Sequence, residues 1–274
     1  MSEYLTGFAL NSRAANYGDG CFTTIRVVGG HPQLLGYHVK RLKADCQTLG
    51  IDYPDHIEGE ILAIAEKSVM QGVVKVVISR GDGGRGYSPR DCGAAKVYLS
   101  EHAYPEHYDA KRAHGVVLSL SDVRLSKQPL LAGAKHLNRL EQVLIKRAMP
   151  DDVDDCLVLD TAGAVIEASA GNLFAFSPVQ NGWITPLLTE CGVKGVMRAA
   201  VIDYFAQQNV QVEERELSVD HLLTCSRLFI CNALMGMMPV KTVKINDTVV
   251  YASEPNSAEF NQLCADFCDW MSQR

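Results

Sequence analysis

Short apolar runs of strand length alternate with amphipathic helical segments in the first hundred residues, and this alternation constrains the fold most. FTTIRVV and VVKVVISR have the length and β-branched composition of buried strands, and AAKVYLSEHAY adds a third. LLGYHVKRLKADCQTLGI and IEGEILAIAEKSVMQ have the apolar period of helices. The pattern predicts an α/β domain in which helices cover a sheet.

The rest of the chain predicts a second α/β domain. DDCLVLD, VIEASAGNLFAFS, GWITP, RLFICNAL and GMMPVKTV predict strands, whereas LAGAKHLNRLEQVLIKRAM predicts a loop that enters a helix. The polar segment YPEHYDAKRAHG carries Pro105 and predicts a linker. We therefore expect an N-terminal domain over residues 1–107, a linker over 108–115, and a larger C-terminal domain over 116–274 that contains the lysine of the AKHLNRL segment.

Composition excludes several classes of protein. The 274 residues are 47% hydrophobic and 21% charged, with a net charge of −6, which is typical of a globular protein with a sizeable core. No basic run predicts nucleic-acid binding, no apolar run is long enough to cross a bilayer, and no secretory signal opens the chain. The nine cysteines lack metal-ligand or disulfide spacing, so we expect a cytoplasmic protein with reduced thiols and no metal.

The segment GDGGRGY matches the dinucleotide-binding pattern, because Gly81, Gly83 and Gly86 have G-x-G-x-x-G spacing after a strand. That pattern requires a helix next, so that a pyrophosphate can bind at its N-terminus. Here YSPRDCG and another strand follow, so we predict a loop between two strands. Arg85 and Tyr87 in this loop offer a planar cation and a hydroxyl to a carboxylate ligand. The alternative is a solvated arginine on a hairpin.

Lys135 follows three small residues, Ala132, Gly133 and Ala134. In the plain interpretation it is a lysine at a helix start, with its amine in solvent. In the functional interpretation, burial lowers the pKa of the amine, which then acts as a nucleophile and forms a Schiff base with a carbonyl. The residues alone leave both interpretations open.

Other candidates are weaker when each is taken singly. Glu167 in VIEASAGNLF is either a strand-edge carboxylate or the partner of a protonated ring nitrogen. Arg41 in YHVKRL is either a surface arginine or a phosphate ligand. GVKGVMR is a glycine turn that enters a helix, where the backbone N–H groups of Val196 and Met197 offer an anion site or only a helix cap.

Two threonines follow the glycine-rich segment YGDG. Thr23 and Thr24 lie on one predicted strand, so their hydroxyls face opposite sides of the sheet and only one of them can enter a given cleft. The alternative is that both are present because threonine favours strands.

Taken in order, YGDGCFTTIR, HVKRL, RGDGGRGY, AKHLNRLEQ, VIEASAGNLF, GVKGVMR and CNALMGMMPV resemble the fold type IV family of pyridoxal-phosphate enzymes over nearly the whole chain. That family contains branched-chain aminotransferases, D-amino acid aminotransferases and 4-amino-4-deoxychorismate lyases. KHLNRLEQ and YGDGCFTT, with Tyr17 in place of a phenylalanine, resemble the lyases most. The resemblance implies a two-domain fold type IV architecture, a homodimer and pyridoxal 5'-phosphate as cofactor.

The activity implied by the resemblance is conversion of 4-amino-4-deoxychorismate to 4-aminobenzoate and pyruvate, a step of folate biosynthesis. The alternative is transamination of D-amino acids or branched-chain amino acids on the same scaffold. The resemblance also implies roles for five residues. Lys135 attaches the cofactor and moves protons, Glu167 pairs with the pyridine nitrogen, and the phosphate binds Arg41 and the N–H groups of Val196 and Met197.

Further roles follow from the same resemblance. Asn232 and Ala233 occupy the place of another phosphate contact, and Thr24 stands where branched-chain aminotransferases have glycine and is expected to assist the lysine. Arg85 and Tyr87 match loop positions that bind the substrate carboxylate in D-amino acid aminotransferases. KHLNRL lacks the tyrosine that contacts the cofactor hydroxyl in branched-chain aminotransferases, which argues against that activity.

Overall fold

The computed structural model describes residues 7–67, 71–255 and 257–272, and these residues form two compact units. The first unit contains the described residues up to Tyr104 together with Ala134–Arg139. The second contains Pro105–Gly133 and the described residues from Leu140 onward. Both units combine sheets with helices, so the predicted α/β class is confirmed. Across the described ranges, the helices are too short or too polar to pass through a bilayer.

The first unit is an antiparallel sheet covered by helices. One face of strand β1 buries Cys21, Thr23 and Ile25, because side chains alternate along a strand and this face packs on helix α2. The sheet order is β2-β1-β3-β4. The elements are α1 Arg13–Tyr17, β1 Gly20–Val28, β2 His31–Pro32, α2 Leu35–Leu49, α3 Ile57–Ala65, β3 Gln71–Ser79 and β4 Lys96–Ala103.

The second unit is a mixed sheet whose order is β10-β9-β8-β11-β12-β5-β6-β7, with β13 paired to β12. Stacked rings fill part of its core, with Phe174 and Phe229 centroids 4.8 Å apart. The elements are α4 His107–His114, β5 Val116–Leu120, α5 Leu140–Ala148, β6 Asp155–Leu159, β7 Val165–Ala168, β8 Asn172–Ser177, β9 Gly182–Pro186, α6 Val196–Gln207, β10 Val212–Arg215, α7 Val219–Leu223, β11 Arg227–Asn232, β12 Gly236–Ile245, β13 Thr248–Ala252 and α8 Ala258–Ser272.

The structure differs from the predicted linker. Residues 108–115 are not an extended connection, because helix α4 occupies most of them and ends at His114. Its side chains are all at least partly exposed, and charge pairs stabilise it, including Arg112 with Asp109 at 3.0 Å. A helix without a buried face has no apolar period, which is why its sequence resembles a linker.

The segment that carries the lysine also differs from the prediction, since Ala134–Arg139 belongs to the first unit and not to the C-terminal one. The N–H of Phe22 donates to the carbonyl of Lys135 at 3.0 Å, and the N–H of Leu137 donates to Gly20 at 2.9 Å. These backbone bonds attach the segment to the start of β1. Helix α5 begins only at Leu140, so Lys135 lies in extended chain well before the helix.

The glycine-rich segment between β3 and β4 is a loop, as predicted from the residues that follow it. β3 ends at Ser79 and β4 begins at Lys96, and no helix lies between them. The dinucleotide pattern therefore lacks the helix that it requires.

Candidate active site

The candidate site residues fall into two groups, one in each unit. In the first unit, Lys135 is half-buried and follows Ala134, which is 3% exposed. Its Nζ lies 4.6 Å from the ring centroid of Phe22, and the backbone of the two residues is hydrogen-bonded. The amine is therefore held against an aromatic face by an anchored backbone. Lys135 is therefore not at a helix start, because α5 begins only at Leu140, and its role as a nucleophile stays a prediction.

Arg41 lies in a buried polar cluster of the same unit. Its Nη2 donates a hydrogen bond to Thr23 Oγ1, and its Nε lies 3.8 Å from Asp45 Oδ2. The same Asp45 oxygen accepts the backbone N–H of Lys135 at 3.3 Å. One carboxylate thus contacts both the candidate phosphate ligand and the backbone of the candidate nucleophile. Burial raises the pKa of Asp45 to about 6, although the Arg41 cation and the Lys135 N–H oppose this shift.

The proton positions in this cluster follow from its donors. Thr23 Oγ1 also lies 2.6 Å from His38 Nδ1. Since an arginine can only donate, Thr23 Oγ1 accepts from Arg41, and the same oxygen shares a hydrogen bond with the His38 ring. Complete burial, and then the Arg41 charge, holds the pKa of His38 well below its usual range, so the ring is neutral.

Thr23 and Thr24 have different surroundings in the structure. Thr23 is fully buried and bonds Arg41, a role that the sequence interpretation missed because it assigned function to Thr24. Thr24 is half-buried, on the face of β1 that it shares with Phe22 and hence with the ring that Lys135 contacts. The predicted role of Thr24 beside the lysine is compatible with this placement and stays a prediction.

The second unit brings Glu167 and the GVKG turn together. Glu167 is 5% exposed on β7, and its Oε2 accepts the N–H of Val193 at 3.0 Å. Gly192 next to it has φ +82°, and a Cβ there would lie 2.6 Å from Cγ2 of Ile166. A side chain at Gly192 would therefore clash, which explains why the turn that folds against this carboxylate needs glycine.

Asn172 fixes the same turn and was not predicted. Its Nδ2 donates to the carbonyl of Val193 at 2.8 Å, and its Oδ1 accepts the N–H of Gly195 at 3.1 Å. Gly195 is the N-cap of α6, so Val196 and Met197 are the first residues of that helix. The asparagine therefore sets the direction in which the helix begins.

Each unit contains donors that would suit an anion such as a phosphate. The first-turn N–H groups of α6, including those of Val196 and Met197, have no acceptor within the helix. In the first unit, Nε of Arg41 is buried and, among the residues that the structure describes, has no hydrogen-bond partner. Both groups are donors that suit a phosphate oxygen.

Asn232 and Ala233 lie in the turn between β11 and β12. The side chain of Asn232 donates to the carbonyl of Ala170 at 2.9 Å and accepts the N–H groups of Leu234 and Met235, each at 2.8 Å. That side chain therefore shapes the turn, and the backbone of Asn232 and Ala233 remains the candidate for a phosphate contact.

Arg85 and Tyr87 project from the glycine-rich loop of the first unit, and both are exposed, Tyr87 by 87%. The ring of Tyr87 meets that of Tyr17 edge to face, with centroids 5.5 Å apart. The backbone carbonyls of Gly86 and Tyr87 accept hydrogen bonds from a buried arginine, Arg13, which no local sequence pattern indicated.

The chain is similar to known proteins of one family. The model of the amino-transferase class IV family matches residues 20–243. The chain is 36% identical over 247 residues to an aminodeoxychorismate lyase of Vibrio harveyi, covering 87% of this chain and 88% of that protein. It is 26% identical to a D-alanine aminotransferase of Bacillus licheniformis, covering 85% and 82%.

Among solved structures, the 4-amino-4-deoxychorismate lyase of Pseudomonas aeruginosa superposes with a TM-score of 0.87 at 32% identity, covering 96% of each chain. The predicted fold type IV architecture is thereby confirmed. The family match extends from the start of β1 into β12 and so includes the lysine segment, the Glu167 strand and the start of α6. The chain belongs to the amino-transferase class IV family.

Proposed function

We propose that this protein is a pyridoxal 5'-phosphate-dependent lyase that converts 4-amino-4-deoxychorismate to 4-aminobenzoate and pyruvate. The observation that carries the proposal is the anchored Lys135, whose amine lies against Phe22, in a chain 36% identical to an aminodeoxychorismate lyase. The segment KHLNRLEQ, which contains Lys135, is also the one whose sequence resembles the lyases.

The described residues fit the cofactor. The resemblance assigns the phosphate to Arg41, whose Nε has no hydrogen-bond partner among the described residues, and to the N–H groups of Val196 and Met197. Glu167 would keep the pyridine nitrogen protonated, while its bond to Val193 N–H fixes the direction of the carboxylate. When bound, pyridoxal phosphate supplies an electron sink for the carbon that carries the substrate nitrogen.

Proton movement is assigned to Lys135. Its amine removes the proton from the substrate carbon that carries nitrogen, and the bond from the neighbouring carbon to the enolpyruvyl oxygen then breaks. Enolpyruvate leaves and takes up a proton at its methylene carbon to become pyruvate, and the six-membered ring becomes aromatic. Thr24, on the Phe22 face of β1, would orient the amine or relay its proton, and Arg85 and Tyr87 would bind the substrate carboxylate.

The direct test supplies 4-amino-4-deoxychorismate, made in situ, to the cofactor-loaded protein and follows pyruvate with a coupled dehydrogenase. We expect equal amounts of pyruvate and 4-aminobenzoate, and we expect Lys135→Ala to abolish both. Lys75→Ala is the matched control, because its ammonium lies 5.4 Å from the same Phe22 ring but has no assigned chemical role. Full turnover by Lys135→Ala would refute the assignment of the lysine.

A second candidate is an aminotransferase, favoured by the 26% identity to a D-alanine aminotransferase. The same preparation distinguishes the two activities. If no pyruvate or 4-aminobenzoate forms from 4-amino-4-deoxychorismate, but D-alanine and 2-oxoglutarate are consumed together, the function is transamination.

We also propose that the protein is a cytoplasmic homodimer. Support for association comes from α5, where Leu140 is 76% exposed, Val143 59% and Leu144 39%, on one face of the helix. The nine cysteines are thiols in the structure, which suits a reducing compartment. Light scattering should give twice the mass of the 30.0 kDa chain, and a monomeric mass would contradict the dimer.

A further inference from the structure

We propose that Arg13 is a positioning residue for substrate recognition. Its buried guanidinium holds the loop that carries Arg85 and Tyr87 in the conformation that binds the substrate carboxylate. The inference rests on the proposed function for the substrate and for the role of Arg85 and Tyr87 as its carboxylate ligands. Arg13, its partners and the loop all lie in the first unit.

The contacts of Arg13 are unusually concentrated on one short stretch of backbone. Although Arg13 is only 3% exposed, its Nη1 donates to the carbonyls of Gly86 at 3.3 Å and Ser88 at 3.1 Å. Its Nη2 donates to the carbonyl of Tyr87 at 3.1 Å. Three successive carbonyls of the loop thus accept from one side chain. A lysine cannot reproduce this, because its donors radiate from a single nitrogen.

A carboxylate holds Arg13 in this orientation. Nε of Arg13 donates to Asp19 Oδ2 at 2.8 Å, and Nε of Arg80 donates to the same oxygen at 2.7 Å. Burial raises the pKa of Asp19, but the hydrogen bonds from Arg80 and Arg13 outweigh this and hold it below its usual range. The carboxylate is therefore ionised at neutral pH and anchors both guanidinium groups.

The loop cannot easily adopt another conformation while Arg13 is in place. Gly84 has φ +75°, and a Cβ there would lie 2.9 Å from the Ser88 carbonyl oxygen and 3.1 Å from Arg13 Nη1. The loop backbone therefore closes tightly around the guanidinium. The ring of Tyr17, which lies 4.9 Å from Arg13 Cζ, also meets the ring of Tyr87.

The result is a rigid backbone that carries exposed recognition groups. Arg85 and Tyr87 are exposed, whereas the carbonyls of Gly86, Tyr87 and Ser88 are tied to a buried side chain. Such fixed presentation lowers the entropy lost when a ligand binds. Loss of the clamp should therefore weaken substrate binding more than it slows the chemical step.

The test compares Arg13→Lys with Arg80→Lys. Both variants keep a cation beside Asp19, but Arg80 donates to the carbonyls of Leu49 and Gly50 and not to the loop. For Arg13→Lys we expect amide hydrogen exchange in residues 82–92 to become at least about tenfold faster, because a loop without this clamp opens more often. We also expect KM to rise by roughly tenfold or more, while kcat changes by less than about threefold. Arg80→Lys should leave both loop exchange and KM near the wild-type values.

Gly84→Ala is a second variant that disturbs the same contact with Arg13 intact, and it should give the same rise in KM. KM is measured on the substrate that the wild-type protein turns over, so a failed lyase assay contradicts the proposed function without affecting this comparison. Unchanged loop exchange in a folded Arg13→Lys protein would overturn the clamp. Faster exchange with unchanged KM, or an equal fall in kcat and kcat/KM, would overturn the positioning role.

Discussion

Replacing Thr23 by valine tests the buried cluster around Arg41 most directly. The two side chains have nearly the same shape, so the substitution removes a hydroxyl and leaves little cavity. Thr23 is fully buried, and its oxygen is the shared partner of Arg41 Nη2 and His38 Nδ1. Without it, the charged Arg41 donor and the neutral His38 ring nitrogen remain buried without that partner.

The expected loss follows from those two groups. An unpaired buried group costs about 1–3 kcal/mol and a charged one more, so we expect Thr23→Val to lower the free energy of unfolding by about 3 kcal/mol. For a chain of this size that corresponds to a fall in Tm of roughly 6–12 °C. Because Arg41 also loses its orientation, pyridoxal phosphate should bind more weakly.

Scanning calorimetry of the cofactor-free protein, followed by cofactor titration, measures both effects. Thr24→Val is the matched control, since it makes the same substitution at the next residue on the opposite, half-buried face of β1. It should change the free energy of unfolding by less than about 0.5 kcal/mol. Thr23→Ser keeps the hydroxyl and should recover most of the loss. A Thr23→Val protein that melts within 2 °C of wild type, or no lower than Thr24→Val, would refute the reasoning.

Two further predictions concern other buried groups. Asn172→Ala removes both side-chain hydrogen bonds to the GVKG turn, so it should lower the free energy of unfolding by about 2 kcal/mol and weaken cofactor binding. Calorimetry and cofactor titration measure the two effects, and an unchanged cofactor affinity would contradict the prediction. Burial, and then the charges of Arg139 and Lys135, lower the pKa of His136 from 6.5 to about 4. As the pH drops from 6.5 towards 4, His136 is protonated in the unfolded state before it is protonated in the folded state, so the free energy of unfolding falls. His136→Asn should flatten a plot of Tm against pH between pH 6.5 and 4. Parallel curves for the variant and the wild-type protein would contradict the lowered pKa of His136.

Local patterns predicted the parts of the fold that depend on neighbouring residues. The strand FTTIRVV and the helix around Arg41 were identified because burial imposes periods of two and 3.6 residues on the sequence. The helix over residues 107–114 was missed because it buries no side chain and so leaves no apolar period.

The candidate residues divide in the same way. Lys135, Arg41 and Glu167 were identified from residue type and from the resemblance, and their roles stay predictions. Asp45, Asn172 and Arg13 were missed because their importance depends on partners that are distant in sequence. Asp45 lies one helical turn beyond Arg41, yet it accepts the backbone N–H of Lys135, a contact that no local spacing predicts.

The attachment of the lysine segment to β1 has a consequence for folding. The N–H of Phe22 bonds to the carbonyl of Lys135, although most of the first unit's sequence and the start of the second separate them. Pairing between such distant segments forms late, because the loop between them must close first. During synthesis, the lysine therefore remains an ordinary flexible amine until β1 and Ala134–Arg139 have paired. A fragment that begins after β1 would contain Lys135 but could not anchor it, whereas adding the missing N-terminal segment as a separate chain should restore the anchored lysine.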